Sequence, residues 1–226
     1  AFAGIAKINL KPLGDSETTS LKLVTDRWLK EINQSKESKF FTLLHYDPPI
    51  NEVNPTESSE INNRFLRNND VSHNLEVSRY TQSIREVDKE IGRLIKTIKE
   101  RDLLKNTILI LTSDHGYELD DYQENYYGHS SNYSPAQTKV PLRIIWPSKA
   151  SKKYSFRSSH LDIAPTLMKE VLGCSNDYSD YSTGNSLFDQ NFVIDHFQYV
   201  EAPSWNNDPF LRPAIVPIRK IIGKII

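Results

Sequence analysis

The chain has 226 residues, room for one domain with a small appendage. Hydrophobic residues make up 38% and charged residues 25%, the composition of an ordinary globular protein and of neither a disordered nor a membrane-embedded one. With 28 basic and 29 acidic residues the net charge is −1, which excludes any global pull toward nucleic acid or an anionic membrane.

Asp15-Ser16-Glu17 can cap a helix that runs to about Gln34, with Leu21, Val24, Trp28, Leu29 and Ile32 on one face. Residues 39–46 (KFFTLLHY) form a short continuous apolar run, which predicts a strand buried on both faces and stopped by Asp47-Pro48-Pro49. Residues 51–72 carry no periodic apolar signal and read as a loop. A long helix is expected over about 74–101, burying Tyr80, Ile84, Val87, Ile91, Leu94, Ile95 and Ile98. Residues 106–112 and 141–146 predict two further buried strands, and Asp162 can cap a helix reaching Leu172 that Gly173 closes. Strand and helix alternate, so the expected class is α/β, a mainly parallel sheet covered by helices on both faces, with chemistry at the carboxyl ends of the strands.

Residues 1–190 are expected to form this domain and 191–226 an extension: a last strand, a Pro-rich segment and a short amphipathic element. In that element Ile218, Ile221, Ile222, Ile225 and Ile226 recur at helical spacing among Arg219, Lys220 and Lys224. It fits an interfacial helix or a last element packed on the domain. The single Cys174 rules out an internal disulfide and, with no histidine near it in sequence, reads as a packing residue. No stretch approaches the roughly 20 apolar residues that span a bilayer. The start, Ala1 to Ala6, has no basic leader and reads as the interior of a longer protein.

The chemistry concentrates in LILTSDHG, residues 109–116. An apolar run delivers Asp114 and His115 to the end of a strand, where a carboxylate and an imidazole are costly to bury without a partner. A divalent cation is one such partner, since both groups are good ligands, and Gly116 lets the backbone turn beside it. Without further context, Asp114 could equally cap a turn and His115 satisfy a carbonyl.

The context continues with Tyr126-Tyr127-Gly128-His129, then Gln137 to Leu142 (QTKVPL), Ile144-Ile145-Trp146-Pro147, and Ser159 to Leu167 (SHLDIAPTL). Upstream, Tyr80, Val87, Asp88, Ile91 and Gly92 fall in the pattern Y-x(6)-V-D-x-x-I-G. This ordered series resembles the sulfatase family of the alkaline phosphatase superfamily over about residues 1–190. Asp180 to Phe188 (DYSTGNSLF), with Ala1 to Ile5 and Gly14-Asp15-Ser16, resembles inner-membrane sulfatase-like proteins of the PbgA/YejM type.

The resemblance implies an alkaline phosphatase-like fold and a divalent metal ion (calcium, manganese, zinc or magnesium) held by Asp114 and His115. It implies that His129 meets the sulfate or phosphate oxygens and aids the leaving group. A family histidine past the first strand would fall at Ile50, so His45 either replaces it or is a satisfied strand-end residue. His160 reads as structural, His73 and His196 have no constellation around them, and Asp120, Asp121 and Glu124 read as a solvated loop. The family's upstream acidic ligand and its Ser, Thr or Cys nucleophile match nothing in this chain, so these residues alone are expected to be inactive. The implied partner is an anionic sulfate or phosphate ester or a lipid head group, and not nucleic acid. The implied place is the periplasmic face of a bacterial inner membrane, within a larger membrane protein. A non-catalytic domain that senses lipid or lipopolysaccharide on the same fold is the alternative.

Overall fold

Helix α1 (Leu21–Gln34) turns Val24, Thr25 and Leu29 inward, on the stripe expected from spacing. Helix α2 (Val71–Glu100) starts at Asp70, whose carboxylate accepts the His73 amide, and ends at Arg101, just before Asp102 turns the chain with φ 60°. A computed structural model describes residues 21–34, 39–47, 66–130, 134–189, 199–200 and 216–217, in two compact units, 1–148 and 149–226.

In the first unit, Leu29, Leu94 and Ile98 form the core, with Trp28, Leu44, Leu103, Leu104 and Leu109 packed around them. Full burial of such an aliphatic side chain contributes about 1.5–3 kcal/mol. Polar groups fix the register of the helices at its margin. The Glu90 carboxylate accepts from Thr25 Oγ1 at 3.2 Å and from the Arg93 guanidinium, which also donates to Asp26 at 2.7 Å. Of the expected stripe of α2, Leu94 and Ile98 are buried, Tyr80, Val87, Ile91 and Ile95 half-buried, and Ile84 exposed, while Ser83 is buried and donates to the Arg79 carbonyl at 3.0 Å. At about 100° per residue, Ser83 falls nearer the Leu94–Ile98 line than Ile84 does.

Strand β1 (Leu109–Thr112) leads into a hairpin of β2 (Glu118–Leu119) and β3 (Tyr127–Gly128), a one-turn helix α3 (Pro135–Thr138), and β4 (Leu142–Ile145). β1 pairs with β4 from Leu109↔Ile145 to Thr112↔Leu142, and the pairing is antiparallel, not the parallel one expected for these strands. A parallel neighbour needs a crossover carrying the chain over the sheet face, usually on a helix of several turns. Here the link is a hairpin and one helical turn, which return the chain along the same edge. Residues 39–47 carry no strand ladder among the described residues. Their run is buried on one side only: Leu44 joins the core and the Tyr46 hydroxyl lies 2.9 Å from Thr25 Oγ1, while Phe41 and Leu43 are each 85% exposed.

In the second unit a 3-10 turn (His160–Asp162) runs into α4 (Ile163–Glu170). Ser159 caps the 3-10 turn in a capping box with Asp162, and Asp162 holds the N-cap position of α4 without a side-chain bond to that helix. Its carboxylate also accepts the Asn185 amide at 2.9 Å, and Thr166 Oγ1 donates to the Asp162 carbonyl and accepts from the Leu187 amide. Residues 185–187 are thereby laced to α4. Gly173, with φ 64°, closes the helix as expected, and the Cys174 amide donates back to the Met168 carbonyl at 2.9 Å. Strands β5 (Tyr199–Val200) and β6 (Val216–Pro217) pair antiparallel. The rest of the expected extension, including His196 and the isoleucine-rich end, lies outside the described residues, as do residues 51–65 and Ile50.

Candidate functional site

β1 ends where Thr112 Oγ1 donates to the Pro141 carbonyl at 2.9 Å, and the next residues fold on themselves. Ser113 Oγ donates to the His115 carbonyl at 2.8 Å, and the His115 amide donates to Asp114 Oδ1 at 2.9 Å. His115 Nδ1 lies 2.8 Å from the Gly116 carbonyl oxygen. A carbonyl only accepts, so Nδ1 carries the proton and a neutral ring keeps its Nε2 lone pair free. That lone pair faces Asp114 Oδ2 at 3.6 Å. Both side chains are open to solvent, 66% of Asp114 and 43% of His115. Two donors on one small ion must lie within about 4 Å, twice a ligand bond near 2.0–2.2 Å, and this pair does.

Burial pushes the Asp114 carboxyl up, but hydrogen bonds from the His115 amide, its own amide and the Ser113 hydroxyl bring it below the ordinary carboxylate value. It is therefore ionised at neutral pH, as a ligand must be. Among the described residues no group of three or more His, Cys, Asp or Glu gathers around an ion position. The pair fits a divalent ion as two ligands of a larger set.

His129 reaches the same place from β3. Its ring stacks on His115 with centroids 4.0 Å apart and planes at 26°. The Tyr126 hydroxyl donates to the His129 carbonyl at 2.6 Å, and Ser130 Oγ lies 2.9 Å from His129 Nδ1. Tyr117 lies 6.5 Å from the His129 ring and stacks on Tyr80 of α2 at 5.1 Å. Asp114, His115 and His129 thus come together. His45 is exposed, and no hydrogen bond, ion pair or ring contact among the described residues joins it to them.

Residues that sequence reasoning passed over hold this arrangement. The Gly116 amide donates to the Gln137 carbonyl at 2.7 Å, and a Cβ on Gly116 would stand 2.0 Å from the Ala136 carbonyl oxygen. Glu118 is fully buried and accepts from Ser134 Oγ at 2.9 Å and Gln137 Nε2 at 2.7 Å. Asp120 is 4% exposed, so it is no part of a solvated loop. Arg67 binds it through its side chain and carbonyl, and its Oδ1 accepts the Asn125 amide at 2.6 Å. His73, expected to stand alone, is buried, with Nδ1 2.9 Å from the Tyr127 hydroxyl. Apart from Asp120 and Asn125, these partners lie 16 to 54 residues apart, which no local pattern marks. The only local signal was Ser134-Pro135, a helix start.

A strand thus ends in an acid–imidazole pair with a second imidazole stacked on it. The sulfatase family matches residues 3–173, most of the chain, and the chain belongs to that family. With membership come the alkaline phosphatase-like α/β fold and a family that generally uses a divalent metal ion. The chain is 30% identical over 112 residues to the inner membrane protein YejM of Salmonella typhimurium, covering 50% of this chain and 18% of that protein. It is 30% identical over 122 residues to the choline-sulfatase of Rhizobium meliloti, covering 53% and 23%. It is 37% identical over 84 residues to arylsulfatase K of Canis lupus familiaris, covering 37% and 15%. The matches thus take in about a fifth of the length of these relatives.

Proposed function

We propose that the chain is part of a sulfatase-like hydrolase or transferase acting on sulfate or phosphate esters, with Asp114 and His115 as metal ligands. The observation that carries this is the ionised Asp114 oxygen facing the His115 Nε2 lone pair at 3.6 Å, under the His129 ring. A bound divalent ion supplies Lewis-acid polarisation of the ester oxygen. The rest falls to side chains of this chain. The Gly116 carbonyl sets the His115 tautomer and the Ser113 hydroxyl braces the turn. His129 meets the anionic oxygens and passes a proton to the leaving oxygen. The nucleophile and the remaining acidic ligand are assigned to other parts of a longer, membrane-anchored parent facing the periplasm, whose complete sheet is mainly parallel.

Calorimetric titration with manganese, zinc, calcium and magnesium tests the ligands. Weak binding is expected, abolished in the Asp114→Ala, His115→Ala double variant; tight binding that survives both changes places the site elsewhere. The chain alone should not turn over a chromogenic sulfate or phosphate ester, and robust metal-dependent turnover would overturn the placement of the nucleophile.

The second reading, a non-catalytic domain that responds to lipid or lipopolysaccharide, draws on the similarity to YejM. One variant of the parent separates the two. His115→Ala should abolish hydrolysis and cellular function together in an enzyme, and leave cellular function intact in a regulator.

A further inference from the structure

Three carboxylates are buried among the described residues: Glu118, Asp120 and Asp162. Asp120 is held by the Arg67 guanidinium, and Asp162 accepts the Ser159 and Asn185 amides. The contacts of Glu118 run to α3, where its Oε2 accepts from Ser134 Oγ at 2.9 Å and Gln137 Nε2 at 2.7 Å. Burying a carboxylate is costly unless donors replace its water, so a carboxylate kept there fixes the geometry of its donors.

Gln137 holds the segment that leaves the acid–imidazole pair at two points. Its carbonyl accepts the Gly116 amide at 2.7 Å, and its side-chain amide donates to Glu118 two residues later. The Gly116 carbonyl lies between these two points, and it is the acceptor that gives His115 its Nδ1 proton. No slack is left at the first point, where a Cβ on Gly116 would stand 2.0 Å from the Ala136 carbonyl oxygen. In the other direction Glu118 pairs with Gly128 across the hairpin, and His129 follows one residue later. The His129 ring then meets His115 with centroids 4.0 Å apart. Both imidazoles therefore depend on where the Glu118 backbone sits, and the buried carboxylate fixes that place against α3.

We infer that Glu118 is a positioning residue for both imidazoles. Through Gln137 it sets the Gly116 carbonyl and with it the His115 tautomer, and through Gly128 it sets the His129 stack. It acts as a hydrogen-bond acceptor and not as a ligand. The consequence, a His115 Nε2 lone pair kept ready for a cation, rests on the reading of Asp114 and His115 as metal ligands. The positioning itself is present in the metal-free chain.

The imidazole nitrogen resonances of the metal-free 226-residue chain, taken at a pH above the histidine range, test it. The parent should show His115 protonated at Nδ1. Glu118→Ala should give His115 a mixture of tautomers and remove the ring-current shift between the two imidazoles. Glu118→Gln keeps an oxygen for Ser134 and Gln137 and should keep the parent's resonances. Ile98→Ala, which weakens the apolar core, should keep them too, and this separates positioning from loss of stability. If Glu118→Ala does not fold, Gln137→Met, which retains the backbone carbonyl, should show the same loss. Titration with manganese reads the consequence: Glu118→Ala or Gln137→Met should lower affinity about tenfold or more, and Glu118→Gln should not. Unchanged His115 resonances in folded Glu118→Ala or Gln137→Met, or a parent protonated at Nε2, would overturn the inference. A loss in Glu118→Gln equal to that in Glu118→Ala would overturn the acceptor role. A parent that binds no manganese while its tautomer still follows Glu118 would overturn the metal reading and support the positioning.

Discussion

The α1–α2 pair and residues 113–138 are held by opposite means. Between the helices, apolar side chains at helical spacing fill the interior around Leu29, Leu94 and Ile98, and the ions sit at the margin. In residues 113–138 the interior is polar: Glu118, Asp120 and Gln137 are buried. There the backbone is bent at Asp120, Gln123, Asn125 and Ser130, all with positive φ although none is glycine. An apolar interior gains from any good packing and tolerates small shifts. A polar interior is stable only while each buried group keeps its partner, so it fixes geometry more narrowly. That is what holding the Asp114–His115 pair at a fixed spacing beside a stacked imidazole requires.

The largest expected effect tests the apolar side. Ile98→Ala should cost about 2–5 kcal/mol in urea unfolding and leave metal titration of the folded protein unchanged. Next comes Gly116→Ala, whose methyl group meets the Ala136 carbonyl oxygen. It should cost about 1–3 kcal/mol and, unlike Ile98→Ala, also weaken metal binding, because it displaces the turn that carries Asp114 and His115. If both variants lose stability and neither loses metal affinity, the contrast between the regions fails.

Asp120 sharpens it through pH. The hydrogen bond from Arg67 pulls this carboxyl below its ordinary 3.8, against burial and with help from the Asn125 and Tyr126 amides. A carboxyl depressed in the folded state contributes stability that is complete above its unfolded value and lost as pH falls through the folded one. Melting temperature should therefore drop on acidification below about pH 4, and Asp120→Asn should flatten that drop while lowering the neutral value. The smallest effect belongs to an exposed pair outside both regions. Lys105→Ala removes the 2.7 Å contact with Asp102 and should change stability by about 0.5 kcal/mol or less.

By itself the sequence determined what depends on near neighbours along the chain. Period-3.6 apolar residues placed α1 and α2, the run before Ser113 placed β1, and Gly173 marked the end of α4. The ordered motifs, with Asp114, His115 and His129 among them, pointed to the sulfatase family that residues 3–173 match. Tertiary structure decided what depends on partners far apart in sequence. It made the β1–β4 pairing antiparallel and buried Asp120 under Arg67 and Glu118 under Ser134 and Gln137. A carboxylate in a turn looks the same in sequence whether water or a guanidinium solvates it. Only the folded chain, by bringing the guanidinium there or failing to, makes one a surface charge and the other a fastening of the site.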